Sequence, residues 1–231
     1  MNAAIIGASG LIGQQLLQQL IDSAAYKKIF MLGRRQANYT ASNHCEVIFV
    51  QCQLSQLAAT SLNEKINHAF CCLGTTIKQA GSQQAFTAVD KTAVLDFVTV
   101  CQADQNFVIT ALGANAASYS FYNRVKGETE LALETLLIAR QPSRSQPQLV
   151  LFQPSLLIGP RSTNRPLESF GQLLFKLLKP LFIGPLKSYQ PISSHKVATA
   201  MVNMALKPDA LKLTATQTHQ QIVRVHNKHM V

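Results

Sequence analysis

The chain has 231 residues, of which 47% are hydrophobic and 14% are charged. This length and composition allow one sizeable core and argue against a disordered, collagen-like or coiled-coil protein. Five cysteines without CxxC spacing and six histidines without HExxH spacing argue against a disulfide framework and against a bound metal. The formal net charge is +10, and the excess lies in residues 140–231, where twelve Lys and Arg face two acids.

The basic residues of this C-terminal part are scattered singly and lack interleaved aromatics, so we expect no nucleic-acid partner. Their charge alone leaves open an anionic substrate, an anionic lipid surface or a merely solvated face. No segment approaches the roughly 20 apolar residues that span a bilayer, and no signal-peptide pattern surrounds the first apolar run. We therefore expect a soluble cytoplasmic protein, a monomer or a homodimer, for which membrane-surface association stays open.

Short apolar runs alternate with helical segments from the first residues onward, which is typical of βαβ units. The predicted strands are Ala3–Ile6, Ile29–Leu32, Val47–Val50, Ala69–Cys72, Phe107–Thr110 and Leu149–Phe152. The predicted helices are Leu11–Ile21, Ser82–Cys101 and Phe121–Ala139. Because the strands are almost continuously apolar, we expect both faces of their sheet to be covered. The pattern predicts an α/β fold with a doubly wound parallel sheet of the Rossmann type.

Prolines become frequent after Phe152, and they divide residues 154–191 into turns around one predicted helix, Leu167–Leu178. An apolar stripe on and after this helix favours packing over the site, and a dimer or membrane-surface contact is the alternative. Its members are Phe170, Leu173, Leu174, Leu177, Leu178 and Leu181. We expect one domain, residues 1–231, to which residues 154–231 contribute a small substrate cap.

A glycine-rich turn joins the first strand to the first helix in the sequence AAIIGASGLIG. Gly7 permits a tight turn, Gly10 lets the backbone approach a pyrophosphate, and Gly13 allows the helix to pack closely on the sheet. Free N–H groups at the start of the following helix would then face the anion. The spacing is GxxGxxG rather than the GxGxxG of many dehydrogenases, and glycines that merely turn the chain are the structural alternative.

The second strand ends in Gly33, Arg34 and Arg35, at the place where many such proteins carry an acid that binds the adenosine ribose. Two guanidinium groups suit a 2′-phosphate, because a planar fork binds phosphate with two hydrogen bonds. We therefore expect NADP(H) rather than NAD(H), with a pair of solvated turn arginines as the alternative.

Tyr122 and Lys126 stand four residues apart on the predicted helix that follows the fifth strand, and so lie on one face of it. An ammonium beside a phenol stabilises the phenolate, which suits the phenol for proton transfer. Carboxyl ends of parallel strands converge where a dinucleotide binds, so this pair is predicted to be catalytic. Thr110 at the end of the fifth strand is the first candidate for a hydroxyl that orients the substrate oxygen, and Ser118 is the second.

The segments GASGLIG, GRR, CLGTTIKQAGS, YNRVKGE and PSLLIGPR together resemble the short-chain dehydrogenase/reductase superfamily over nearly the whole chain. More narrowly, they resemble its atypical branch of HIV Tat-interacting-protein-like oxidoreductases and nucleoside-diphosphate-sugar epimerase-like proteins. The resemblance implies that Tyr122 and Lys126 are catalytic and that Lys126 also binds the nicotinamide ribose. It implies cofactor contacts at Gly7, Ser9, Gly10, Leu11, Ile12, Arg34, Arg35, Cys72, Leu73 and Gly74. Pro154, after the sixth strand, would back the nicotinamide.

Two positions depart from the pattern of that branch. Thr110-Ala111 stands where the branch usually has serines, and Gln53 stands where an acid usually follows the third strand. The sequence predicts an NADP(H)-dependent oxidoreductase that transfers hydride to or from a small carbonyl compound or an activated metabolite. A non-catalytic NADPH sensor that binds a protein partner is the main alternative, and sugar-nucleotide epimerisation is a third.

Overall fold

The computed structural model describes residues 1–139, 149–158, 190–207 and 222–230. Its strands are β1 (Asn2–Ile6), β2 (Lys28–Gly33), β3 (Glu46–Gln51), β4 (His68–Cys71), β5 (Gln105–Ile109), β6 (Leu149–Gln153), β7 (Leu157–Ile158), β8 (Ile192–Ser193) and β9 (Ile222–His226). Its α-helices are α1 (Leu11–Asp22), α2 (Ile77–Ala80), α3 (Gln83–Thr87), α4 (Ala93–Cys101), α5 (Phe121–Ile138) and α6 (Ser194–Leu206). A single π-helical turn, Ala88–Thr92, joins α3 to α4, and Leu54–Ala59 forms a 3-10 helix.

The main sheet is parallel, with the strand order β3-β2-β1-β4-β5-β6-β9. The order reverses between β1 and β4, so the sheet is doubly wound, and the predicted α/β fold is confirmed. All six predicted strands are present within two residues of their predicted ends. Strand β9 was not predicted from the sequence, and it pairs in parallel with β6 from Leu149↔Ile222 to Gln153↔His226.

Two apolar layers cover the two faces of the sheet. On one face, α1 and α6 pack on alternate strand residues such as Ile5 and Val223. On the other face, α4 and α5 pack on the intervening residues such as Ile6 and Val108. Because side chains of a strand alternate between faces, this two-sided burial explains the continuous apolar runs in the sequence.

The structure describes only part of the predicted cap, residues 154–231. Its parts at 190–207 and 222–230 supply α6 and β9, which belong to the helical layer and to the main sheet. The predicted helix Leu167–Leu178 and its apolar stripe lie outside the described residues.

Within the ranges given above, no helix has both the length and the apolar character needed to cross a membrane.

Candidate active site

The turn after β1 is built from backbone in close contact. Gly7 has a φ of +78°, and a Cβ on it would lie 2.6 Å from the Cys72 carbonyl oxygen. A Cβ on Gly13 would lie 2.1 Å from the Gly7 carbonyl oxygen. A side chain at either position would collide with this backbone, so the tight turn and the close packing of α1 require glycine there, as a dinucleotide-binding turn does.

Helix α1 begins beside this turn without a side-chain cap. Its N-cap residue is Gly10, which has no side chain that could cap the helix. The Gly10 N–H donates to the Gly7 carbonyl oxygen at 2.9 Å. The N–H groups of Leu11, Ile12 and Gly13 follow within the first turn, where an α-helix offers them no acceptor of its own. They are therefore available to an anion, with the positive end of the helix dipole behind them.

A cleft connects the glycine turn to the end of β2. It is lined by residues 6–9 and 31–35, together with Leu54 and Leu73. Arg34 and Arg35 are exposed, and they line the same cleft as Gly7 and Ser9. The structure thus brings the two arginines to the place where the adenosine end of a dinucleotide is expected.

Helix α5 carries the predicted catalytic pair in its first two turns. The Tyr122 ring lies 5.6 Å from that of Phe86, centroid to centroid. Lys126 is only 3% exposed, and its ammonium forms an ion pair with Asp90 at 2.7 Å. A Cβ on Gly74 would lie 4.0 Å from Lys126 Nζ, so this charge sits against the loop that follows β4.

Asp90 is a further residue of the site, and it was not predicted from the sequence. It lies on the π-helical turn and is fully buried. One carboxylate oxygen pairs with Lys126, and the other accepts the Thr75 N–H at 3.0 Å. Asp90 therefore joins the β4 loop to the catalytic helix. In sequence it was one acid within a long helical segment, and no local signal marked it as buried.

Thr110 is present at the end of β5 but is 4% exposed. Its hydroxyl donates to Glu130 Oε1 at 2.6 Å. Glu130 is likewise buried, and it also accepts from Gln153 on β6 and from Arg224 on β9. A helix face that carries Tyr122, Lys126 and Glu130 at intervals of four was the available signal for this second buried carboxylate.

The other predicted residues occupy loops at the same edge of the sheet. Cys72, Leu73 and Gly74 directly follow β4, and the Pro154 carbonyl accepts the Leu112 N–H at 3.0 Å. Ser118 lies in the loop before α5 and accepts the Ser120 N–H through its hydroxyl oxygen at 3.2 Å.

Cys71, at the end of β4, and Cys72, directly after it, are poor nucleophiles. Burial raises the pKa of the Cys71 thiol to about 12, and burial also raises the pKa of the Cys72 thiol. Both thiols are therefore protonated at neutral pH. Among the described side chains, no three His, Cys, Asp or Glu residues come together as a metal site.

Comparisons with known proteins agree with this geometry. Residues 2–116 match the family model described as semialdehyde dehydrogenase, NAD binding domain. A solved short-chain dehydrogenase/reductase family oxidoreductase from Burkholderia thailandensis superimposes with a TM-score of 0.65 at 17% identity, covering 99% of this chain and 92% of that one. The Rossmann fold and a nicotinamide cofactor are therefore supported.

Curated relatives are more similar in sequence. Protein HTATIP2 of Rattus norvegicus is 31% identical over 178 residues, which cover 74% of this chain and 69% of the relative. Protein FMP52 of Candida glabrata is 29% identical over 223 residues, which cover 94% of this chain and 90% of the relative. FMP52 proteins of several fungi are named mitochondrial. This finding contradicts the predicted cytoplasmic location.

Proposed function

This chain belongs to the HTATIP2-like branch of the atypical short-chain dehydrogenase/reductases, and from that premise we propose that it is an NADP(H)-dependent oxidoreductase. Its substrate would be a small carbonyl compound or the corresponding alcohol. The observation that carries the proposal is the position of the Lys126 ammonium. It lies against Gly74, at the sheet edge that also carries the glycine turn and the start of α5.

The cofactor is held in this proposal by groups from two strand ends. The backbone N–H groups at the start of α1 bind the pyrophosphate. Arg34 and Arg35 bind the 2′-phosphate, since both line the cleft that begins at Gly7. Lys126 reaches the nicotinamide ribose with the N–H groups that its ion pair with Asp90 leaves free, because an ammonium has three donors.

The chemistry divides between cofactor and chain. When bound, the nicotinamide supplies the hydride that reaches the carbonyl carbon. Tyr122 donates a proton to the carbonyl oxygen and takes it back in the reverse direction. Lys126 orients the site, and its positive charge stabilises the phenolate that Tyr122 becomes when it gives up the proton. Thr110 borders the reacting end of the substrate from β5.

The decisive experiment follows NADPH absorbance across a panel of aldehydes, ketones and quinones, with wild-type protein and with Tyr122→Phe. We expect turnover by the wild type and a loss of about 100-fold or more in kcat for the variant, because one general acid is removed. The dissociation constant for NADPH should stay nearly the same, since the phenol oxygen contributes to chemistry rather than to cofactor affinity.

Two results would contradict this function. Tight NADPH binding without reduction of any compound in the panel would identify a cofactor sensor instead. Full activity of Tyr122→Phe would show that another group transfers the proton.

A further inference from the structure

The loop that carries Arg34 and Arg35 is held by the side chain of one residue on α1. Gln18 Oε1 accepts the Thr40 N–H at 2.8 Å, and Gln18 Nε2 donates to the Thr40 carbonyl oxygen at 3.4 Å. Within the described part of the chain, no other hydrogen bond joins residues 34–41 to the rest of the protein. The course of this loop as it leaves the cleft therefore depends on Gln18.

The orientation of the Gln18 amide follows from its partners. A backbone N–H can only donate, so the Thr40 N–H must face the amide oxygen. The amide NH2 group then has one hydrogen for the Thr40 carbonyl oxygen and one for Asp22 Oδ1, which lies 2.9 Å away. Asp22 stands four residues later on α1, on the same face of the helix. It thereby fixes the amide that binds the loop.

Apolar packing holds the same loop but does not set its direction. Ala37 is 5% exposed, and Tyr39 packs partly buried against the apolar layer that contains α1. The hydrophobic effect is non-directional, whereas a hydrogen bond requires a particular distance and angle. Ala37 and Tyr39 therefore keep the loop close to α1, and Gln18 fixes the orientation of its backbone.

Helix α1 is thereby connected to both phosphate sites of the proposed cofactor. Its first N–H groups bind the pyrophosphate in the proposed function, and Gln18 lies seven residues after Leu11, about 10 Å along the helix axis. Arg34 and Arg35 line the cleft that begins at the glycine turn, but both side chains are exposed. Ordering such long side chains costs conformational entropy. A loop that Gln18 has already ordered has less entropy to lose when the cofactor binds.

We propose that Gln18 is a positioning residue for the 2′-phosphate and contributes to the preference for NADP(H) through the arginine loop. Gln18 is not among the residues that line the cleft, so it acts without touching the cofactor. The inference rests on the proposed function, in which Arg34 and Arg35 bind the 2′-phosphate. Loss of the two Gln18–Thr40 hydrogen bonds should weaken the binding of NADPH but not of NADH, which lacks that group.

The test compares Gln18→Met with the wild type by titration calorimetry at fixed ionic strength. Met resembles Gln in length and helix propensity but has no amide. We expect the Kd for NADPH to rise about 3- to 10-fold, the effect of roughly one hydrogen bond, and the Kd for NADH to change less than about 2-fold. Adenosine 2′,5′-bisphosphate should lose the same factor as NADPH, whereas adenosine 5′-monophosphate should lose none.

Two further variants of α1 are matched controls. Gln15→Met makes the same substitution at an exposed position of α1, where the described residues show no hydrogen bond to the loop. Asp22→Asn keeps an acceptor for the Gln18 NH2 group. Both variants should keep the wild-type ratio of the two Kd values. Hydrogen exchange of the Thr40 amide should be faster in Gln18→Met than in either control, because that N–H loses its acceptor.

Three outcomes would contradict the inference. An unchanged ratio of Kd values in Gln18→Met would show that the arginines need no support from this residue. Equal weakening of NADPH and NADH would assign the effect to damage of the whole cofactor site. In both cases a wild type that prefers NADPH would leave the proposed function intact. Equal Kd values for the two cofactors in the wild type would refute the proposed cofactor and the inference together.

Discussion

Buried charges beside the candidate site each have a partner of opposite sign. Asp90 pairs with Lys126, and Glu130 pairs with Arg224. Removing one member of such a pair leaves the other buried and uncompensated, which costs more than the pair itself contributes to stability. We therefore regard these pairs as devices that fix the positions of Lys126 and Thr110 rather than as sources of stability.

The cofactor preference depends on two exposed side chains at the end of β2. A 2′-phosphate carries close to two negative charges, and Arg34 and Arg35 line the cleft where it would lie. If each arginine makes one charge-assisted hydrogen bond, NADPH should bind on the order of 30-fold or more tighter than NADH, after allowance for screening. Replacing both by Ala should remove most of this preference.

Titration of each cofactor at fixed ionic strength checks this prediction. The matched control is Lys78→Ala, which removes a positive charge from α2, outside the cleft lining. That variant should keep the wild-type ratio of dissociation constants. Equal dissociation constants for the two cofactors in the wild type would show that the arginines point into solvent.

Single residues also show where sequence reasoning stops. Gly7, Gly13, Arg34 and Arg35 could be placed because each follows directly from a strand end with a recognisable local requirement. Asp90 could not, since its two partners come from residues 15 positions earlier and 36 positions later in the chain. A pairing of that kind depends on tertiary packing, which local pattern does not determine.

At the level of elements, the helical segment before β5 contains a feature that periodicity alone does not predict. The sequence predicts one helix over Ser82–Cys101, whereas the structure has α3, the π-helical turn Ala88–Thr92 and α4 in succession. A π turn inserts an extra residue and often marks a functional position. Here the turn carries two ion pairs to α5, the buried one from Asp90 and a more exposed one from Lys91 to Glu128.

These two ion pairs provide a matched comparison. Asp90→Asn should lower the free energy of unfolding by about 3 kcal/mol or more, because Lys126 would stay buried without a counter-charge. Lys91→Met should cost about 1 kcal/mol or less, since that pair is roughly one-third exposed. Urea denaturation of both variants measures the difference. Similar losses in the two would mean that the π turn holds α5 through packing alone.

A buried histidine at the amino end of β4, the end away from the candidate site, should make the free energy of unfolding depend on pH. His68 on β4 bonds to the Tyr26 hydroxyl at 2.7 Å and packs against Phe70 and Phe107. Burial lowers the pKa of His68 to about 4. In the unfolded chain His68 binds a proton near pH 6.5, whereas in the folded chain it stays neutral down to about pH 4. The free energy of unfolding therefore falls as the pH decreases from 6.5 to 4.

The expected loss between pH 7 and pH 5 is about 1 to 2 kcal/mol of unfolding free energy. Urea denaturation at the two pH values measures it. His68→Gln removes the titrating group and should flatten the dependence in this window, even if the variant is less stable at both values. His44→Gln, at an exposed position, should keep the wild-type slope. A steep slope in His68→Gln would assign the effect to other groups.

Strands were the elements most accessible to prediction. Each of the six predicted strands is a short apolar run between turn residues, and burial on both faces of a parallel sheet requires such a run. The seventh strand, β9, has the sequence IVRVH, in which Arg224 and His226 interrupt the apolar pattern. Arg224 is tolerated there because its guanidinium meets Glu130 and Glu134 on α5.

For the whole molecule, β9 brings a C-terminal segment of the chain into contact with residues of the candidate site. It pairs with all of β6, its residues Val223 and Val225 are buried, and Arg224 reaches the carboxylate that holds Thr110. Without β9, β6 would become an edge strand with unpaired backbone groups. The basic C-terminal half therefore contributes directly to the site through at least one of its cations.

Removing residues 222–231 should abolish the folded state. The truncation exposes the backbone of β6 and part of the apolar layer under α6, and it leaves Glu130 without Arg224. Circular dichroism with thermal denaturation should show no cooperative transition for the truncated chain. Arg224→Met separates the two causes, because it keeps the strand and its apolar stem while removing the charge. That variant should fold, with an unfolding free energy about 3 kcal/mol lower than that of the wild type. A truncated chain that melts cooperatively near the wild-type temperature would show that β9 only covers an already stable sheet, and that Glu130 finds its counter-charge elsewhere.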